Sequence, residues 1–123
     1  MTTVRSTVLL LTAVLFAGAC SNVSFVDEIT VVNETAYPVD VEVSDESRQR
    51  WLNLTTAQRD QETAVQEVID QGAVWVFRFG YAGTHEEEIE IRRSELVRDG
   101  WTVEVPESLG EALERLGIEP PPP

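Results

Sequence analysis

Cysteine is nearly absent from this chain: Cys20 is the only one. Intramolecular disulfides, paired-thiol redox centres and multi-cysteine zinc sites are thereby excluded. Lysine is missing altogether and His85 is the only histidine, so a nucleophile that relies on an imidazole base has one candidate partner. No G-x-S-x-G elbow, H-E-x-x-H pair, calcium-loop spacing or glycine-rich phosphate loop occurs. Positive charge is scarce, with 9 arginines against 22 acidic residues and a formal net charge of −13. That balance argues against nucleic acid and against direct adsorption to anionic lipid, because both repel it, and it favours a soluble monomer. Long apolar runs are lacking too. The longest, Val8 to Phe16, falls short of the roughly 20 residues a spanning helix needs.

What is present begins with that run. Arg5 precedes it, Ala17-Gly18-Ala19 follow, and Cys20 comes next. This order of charged, apolar and small segments is that of a secretory signal. The segment Leu15-Phe16-Ala17-Gly18-Ala19-Cys20 resembles a bacterial lipobox, with Ala17 where leucine is commonest. The resemblance implies removal of residues 1–19, acylation of the Cys20 thiol, and a lipid anchor on the extracytoplasmic face of the cell membrane. Ser21 stands where aspartate would signal retention in the inner membrane, which leaves an outer membrane open in a two-membrane bacterium. Simple secretion is the other reading, since Ala17-Gly18-Ala19 is also an A-x-A site for cleavage at the same bond. Residues 20–28 read as a short tether, with a reach of roughly 30 Å when extended.

Residues 29–106 read as one small β domain. Ile29 to Asn33 is rich in β-branched residues, and Val39 to Val43 places three valines on one face and two acids on the other. With the turn-like Thr35-Ala36-Tyr37-Pro38 between them, the two predict an antiparallel hairpin. Trp51 to Leu54 starts another strand. Residues 55–71 are ambiguous: Ala64, Val65, Val68 and Ile69 have helical spacing, whereas Thr63, Val65, Glu67 and Ile69 alternate. The neighbouring strands favour a strand over Ala64 to Ile69. Val74 to Tyr81 is the strongest strand, Glu87 to Arg92 and Trp101 to Val105 alternate, and Arg98-Asp99-Gly100 reads as a turn. Leu109, Ala112, Leu113 and Leu116 then make the stripe of a short amphipathic helix over residues 107–117, with Gly117 at its end. Residues 118–123 read as an extended, solvated and dispensable proline tail. The fold class expected is therefore mainly β, a small antiparallel sandwich with a short C-terminal helix. Its rhythm is similar to that of the immunoglobulin-like domains of exported bacterial proteins, without their Cys-Trp-Cys framework.

Sites for chemistry are sparse. His85, ahead of Glu86-Glu87-Glu88, has the composition of a base with a carboxylate partner and also that of an ordinary loop histidine. Glu86 to Glu90 and Asp45-Glu46 could hold calcium weakly or could be solvated charge; no metal site and no cofactor are assigned. Trp75, Phe77, Phe79 and Tyr81 share one strand face, and Trp101 is of the same kind. They read first as half of a core, since so short a chain has few other large side chains to fill its interior. The second reading is an exposed binding surface for sugar or protein. The three N-x-S/T matches at Asn22, Asn33 and Asn53 read as chance. The expectation is a lipid-anchored binding or interaction domain without catalysis, its partner an envelope protein or a glycan. The alternatives are a small hydrolase using paired carboxylates and a structural envelope component. The first would require two carboxylates at a set spacing in a pocket.

Overall fold

The computed structural model describes residues 23–123, so the leader and the acylation expected at Cys20 lie outside the described residues. Among the described residues, seven strands form two sheets. β1 (Phe25–Asn33), β4 (Gln61–Ile69) and β7 (Thr102–Glu104) make one, in the order β4-β1-β7; β2 (Val39–Asp45), β3 (Leu52–Ala57), β5 (Val74–Gly80) and β6 (Glu86–Arg92) make the other, in the order β3-β2-β5-β6. Helix α1 (Arg93–Arg98) links β6 to β7, and α2 (Glu107–Arg115) follows β7. This is the expected small β-sandwich. The order β3-β2-β5-β6 reproduces the C′-C-F-G sheet of immunoglobulin-like sandwiches, and β4-β1 reproduces their E-B pair. Beside β1, where such folds carry strand A, stands β7. It pairs in parallel, Thr30 with Thr102 and Val32 with Glu104, and is the exception to an otherwise antiparallel set.

Four expectations are corrected. The first is the hairpin between Ile29–Asn33 and Val39–Val43, whose two strands lie in different sheets. Residues 34–38 cross the roughly 10 Å between facing sheets, and Asn33 holds the crossing. Its buried Nδ2 donates to the carbonyls of Tyr37 (2.8 Å) and Ala57 (3.0 Å), and its Oδ1 accepts from the backbone N–H of Thr35 (3.0 Å). Second, β1 already begins at Phe25, and Val26 is buried, so the tether ends before Glu28. Third, Arg98, read as the start of the Arg98-Asp99-Gly100 turn, is the last residue of a helix that the sequence did not suggest, Arg93–Arg98. Leu96 is its only buried residue, and two adjacent apolar positions in six, Leu96 and Val97, leave no period to read. Fourth, Leu116 does not belong to the α2 stripe. Leu109 and Leu113 are fully buried, whereas Leu116 is 60% exposed, because the helix ends before it would return to the apolar face.

β4 is a strand, and its helical look has a local cause. Register with β1 is constant, Val26 opposite Val68 and Ile29 opposite Val65. Between those pairs Glu67 takes a left-handed φ of 53°, and both strands change phase. Strict alternation from Ile29 and Val65 would aim the side chains of Asp27 and Glu67 into the core, where unpaired charge is very costly. The slip instead turns Val26 and Val68 inward, both buried, and leaves Asp27 and Glu67 exposed. Val65 and Val68 thus acquire an i, i+3 spacing inside a strand.

Both helices end in one and the same device. Gly100 and Gly117 have φ of 66° and 74°. The N–H of Gly100 donates to Val97 and that of Trp101 to Leu96; the N–H of Gly117 donates to Glu114 and that of Ile118 to Leu113. Each is a Schellman stop, and the residue after each glycine, Trp101 or Ile118, packs against the core.

Candidate functional site

The aromatic row is core. Trp75, Phe77 and Phe79 are each 0% exposed, stacked at 6.1 Å and 6.3 Å between ring centroids. β5 is an inner strand of its sheet, so this face meets β1, β4 and β7 across the sandwich. Trp75 also meets Trp101 edge-on at 5.3 Å and donates from Nε1 to the Gly72 carbonyl. Tyr81 packs edge-on against Tyr37 at 5.2 Å, and the Arg93 guanidinium lies 5.3 Å from the centre of the half-buried Trp101 ring. The reading of Trp75, Phe77, Phe79, Tyr81 and Trp101 as an exposed binding surface is therefore corrected: three are sealed and two are half-buried edges of the same core.

The acidic run on β6 is bound up with arginines on the outer face of the same sheet. Arg48 bonds Glu88 (3.1 Å) and Glu90 (2.6 Å); Arg78 bonds Glu42 (3.0 Å) and lies 3.6 Å from Glu86. The Glu42 hydrogen bond raises the Arg78 pKa above its usual value, and the Trp51 ring caps that guanidinium at 3.9 Å. The loop over residues 46–51 thus folds across the sheet and buries Val76 and Ser44 on its outer side. Asp45 accepts hydrogen bonds from Ser47, which hold its carboxyl below the usual carboxylate range. Among the described residues, no group of three or more His, Cys, Asp or Glu side chains is placed to hold a metal ion.

His85 Nε2 lies 3.5 Å from Glu87 Oε1, and Ser108 on α2 donates to Glu87 Oε2 at 2.6 Å. The carboxylate sits between hydroxyl and imidazole, an order different from the nucleophile–base–carboxylate chain of hydrolytic triads. Its effect here is to tie α2 to β6.

A groove of about 370 Å³ opens between α2 and the crossing from β1 to β2. Val32, Ala36, Val105 and Tyr37 supply its apolar lining, and Glu34, Glu104, Glu107, Glu111 and Glu114 its carboxylates. Glu107, Glu111 and Glu114 recur at four and three residues, which puts them on one face of the helix. None of the five carboxylates takes part in an ion pair among the described residues, in contrast to Glu42, Glu86, Glu88 and Glu90. Tyr37 is buried and donates to the Ile118 carbonyl at 2.6 Å. Burial pushes the phenol pKa up, and Glu114 adds to the shift.

Neither Tyr37 nor the groove was legible as a site. The signal available was an aromatic residue inside a turn, next to Pro38, where polar residues usually stand. Comparison of the chain with protein-family models, with curated proteins and with solved structures finds no match.

Proposed function

We propose that this protein is a lipid-anchored extracytoplasmic interaction domain, held to the membrane through Cys20, that presents the α2 groove to a cationic segment of a partner. The observation that carries this reading is the groove itself, a recess of mixed apolar and acidic lining whose five carboxylates form no ion pair among the described residues. Burial of the aromatic row supports it by removing that row as a rival binding surface. Placement supports it as well. The groove sits at the Asn33 end of β1 and the tether joins at the Phe25 end, a separation of roughly 25–30 Å along nine residues. A partner would meet it away from the bilayer, with a domain of net negative charge repelled from anionic lipid.

Two measurements test the reading. Intact mass and detergent-phase partitioning of the exported protein should give a chain that begins at Cys20, carries diacylglyceryl and enters the detergent phase; a free thiol in the aqueous phase defeats the anchor. A short arginine-containing apolar peptide, titrated at physiological salt, should shift the amide signals of Glu104, Glu107, Glu111 and Glu114 in a saturable way. Glu107→Gln with Glu111→Gln should weaken that binding. Unsaturable shifts spread over all acidic residues would mean non-specific charge and favour a structural component without a discrete ligand.

A further inference from the structure

Phe25 and Ile69 are cross-strand partners at the start of β1 and the end of β4. The phase slip that turns Val26 and Val68 inward turns both of them out, so that Phe25 is 56% exposed and Ile69 42%. Val23, just before β1, is 64% exposed. Side chains of this size stay in water at a cost. Among the described residues five large hydrophobic side chains are exposed, and these three together with Val97 of α1 lie at the same end of the sandwich. That end is set by topology: β4 ends, β1 begins, and α1 joins the end of β6 to the start of β7. Leu116, the fifth, lies at the end of α2, on the groove side.

The position of this patch along the chain indicates what covers it. Residues 20 to 25, fully extended, reach no more than about 18 Å, so a domain anchored at Cys20 carries Phe25 close to the headgroups. Charge next to the patch is partly paired. Asp70, next to Ile69, pairs with Arg93 at 3.1 Å, and Glu28 accepts a hydrogen bond from Gln66. The exposed carboxylates of Asp27 and Glu67 lie two residues further along β1 and β4, roughly 7 Å toward the groove end.

We infer that Val23, Phe25 and Ile69 form a seat on the bilayer interface, which docks the anchored domain on its β1–β4 end and aims the α2 groove away from the membrane. The inference rests on the anchor at Cys20 proposed above. Phe25 and Ile69 enter the boundary between headgroups and acyl chains, while the acidic far end stands clear.

The test uses the acylated full-length protein in vesicles of phosphatidylethanolamine and phosphatidylglycerol whose acyl chains are brominated near the headgroup. Cys20 is blocked by its acyl group, so Ile69→Cys and, separately, Glu111→Cys each offer a single thiol for a fluorescent label. Entry of about 5–10 Å into the interface should quench the label at position 69 at least roughly twofold and leave that at position 111 unquenched. Phe25→Asp, added to Ile69→Cys, should bring quenching at position 69 down to the level at 111, with an unchanged urea midpoint to show that the fold is intact. A protein acylated by mass but equally bright at both positions overturns the seat and leaves the anchor standing. A mass without diacylglyceryl overturns both. Energy transfer between labels on neighbouring copies at low surface density, in place of quenching by bromine, overturns the bilayer as occupant in favour of a second copy.

Discussion

The side-chain amide of Asn33 holds the backbone carbonyl of Ala57 at 3.0 Å, across 24 residues of sequence. The same nitrogen holds the Tyr37 carbonyl at 2.8 Å, so one buried side chain fastens the end of β1, the crossing to β2 and the end of β3. Asn33→Ala takes this donor from the buried Ala57 carbonyl, at about 1–3 kcal/mol, whereas the Tyr37 carbonyl keeps the Thr35 hydroxyl at 3.1 Å. The expected loss is about 1–3 kcal/mol, a sizeable part of the 5–15 kcal/mol typical of a domain. Urea unfolding should show a lower midpoint with an unchanged slope. A variant that keeps its midpoint would mean that the crossing is held elsewhere. The burial also removes Asn33 as a glycosylation acceptor in the folded chain.

Glu67 offers a test of the phase slip, because strand propensity and backbone geometry make opposite predictions there. A β-branched residue is ordinarily favoured in a strand. At a left-handed φ of 53° it is penalised, since its branched Cβ crowds the following carbonyl by about 1–2 kcal/mol. Glu67→Val should therefore destabilise by about 1 kcal/mol, and Glu67→Asn should stabilise by up to about the same amount. Thermal unfolding of the two variants decides: a Val variant at or above the wild-type midpoint would mean that β4 runs through Glu67 without a slip.

These two residues also show where the sequence was readable and where it was not. The valines of β2 and the aromatics of β5 alternate without interruption, because each strand is inner and keeps one face on the core. Leu109 and Leu113 are one helical turn apart and both buried, so α2 was legible as well. The hairpin expected between β1 and β2 failed because alternation reports which face of a strand is buried and carries no information about which strand lies beside it. That information resided in Asn33, whose partners are 4 and 24 residues away. The groove was hidden for a related reason. Glu34, Glu104 and Glu111 come from three elements that only the fold brings together, in a chain where 22 acids make any one of them unremarked.

Tyr37 gives the fold an alkaline limit. Its phenol pKa is raised above the ordinary value of 10.0, chiefly by burial and then by Glu114. The unfolded chain therefore loses this proton at a lower pH than the folded one. The contribution of the neutral phenol is fully present below pH 10.0, then falls as pH rises toward the folded-state pKa. Tyr37→Phe should lower the urea midpoint at neutral pH, because the Ile118 carbonyl loses its donor, and should flatten the decline of stability above pH 10.0. Equal alkaline slopes in the two proteins would assign that decline to another group.

Leu113 on α2 and Leu116, its C-cap three residues on, have opposite fates, one fully buried and the other 60% exposed. Leu113→Ala opens a cavity against the sandwich and should cost about 2–5 kcal/mol. Leu116→Ala removes a solvated side chain and should fall within about 0.5 kcal/mol of the native protein. The proline tail is expected to matter slightly, contrary to its reading as dispensable, because the Pro121 carbonyl accepts from Arg59 Nη1 at 2.8 Å. Ending the chain at Glu119 removes that hydrogen bond, worth about 0.5–1.5 kcal/mol, and leaves the Schellman stop at Gly117 intact. Urea midpoints should therefore rank the native protein with Leu116→Ala, then the truncated chain, then Leu113→Ala well below. If Leu113→Ala unfolds with the native protein, α2 is undocked and the groove has lost one of its walls.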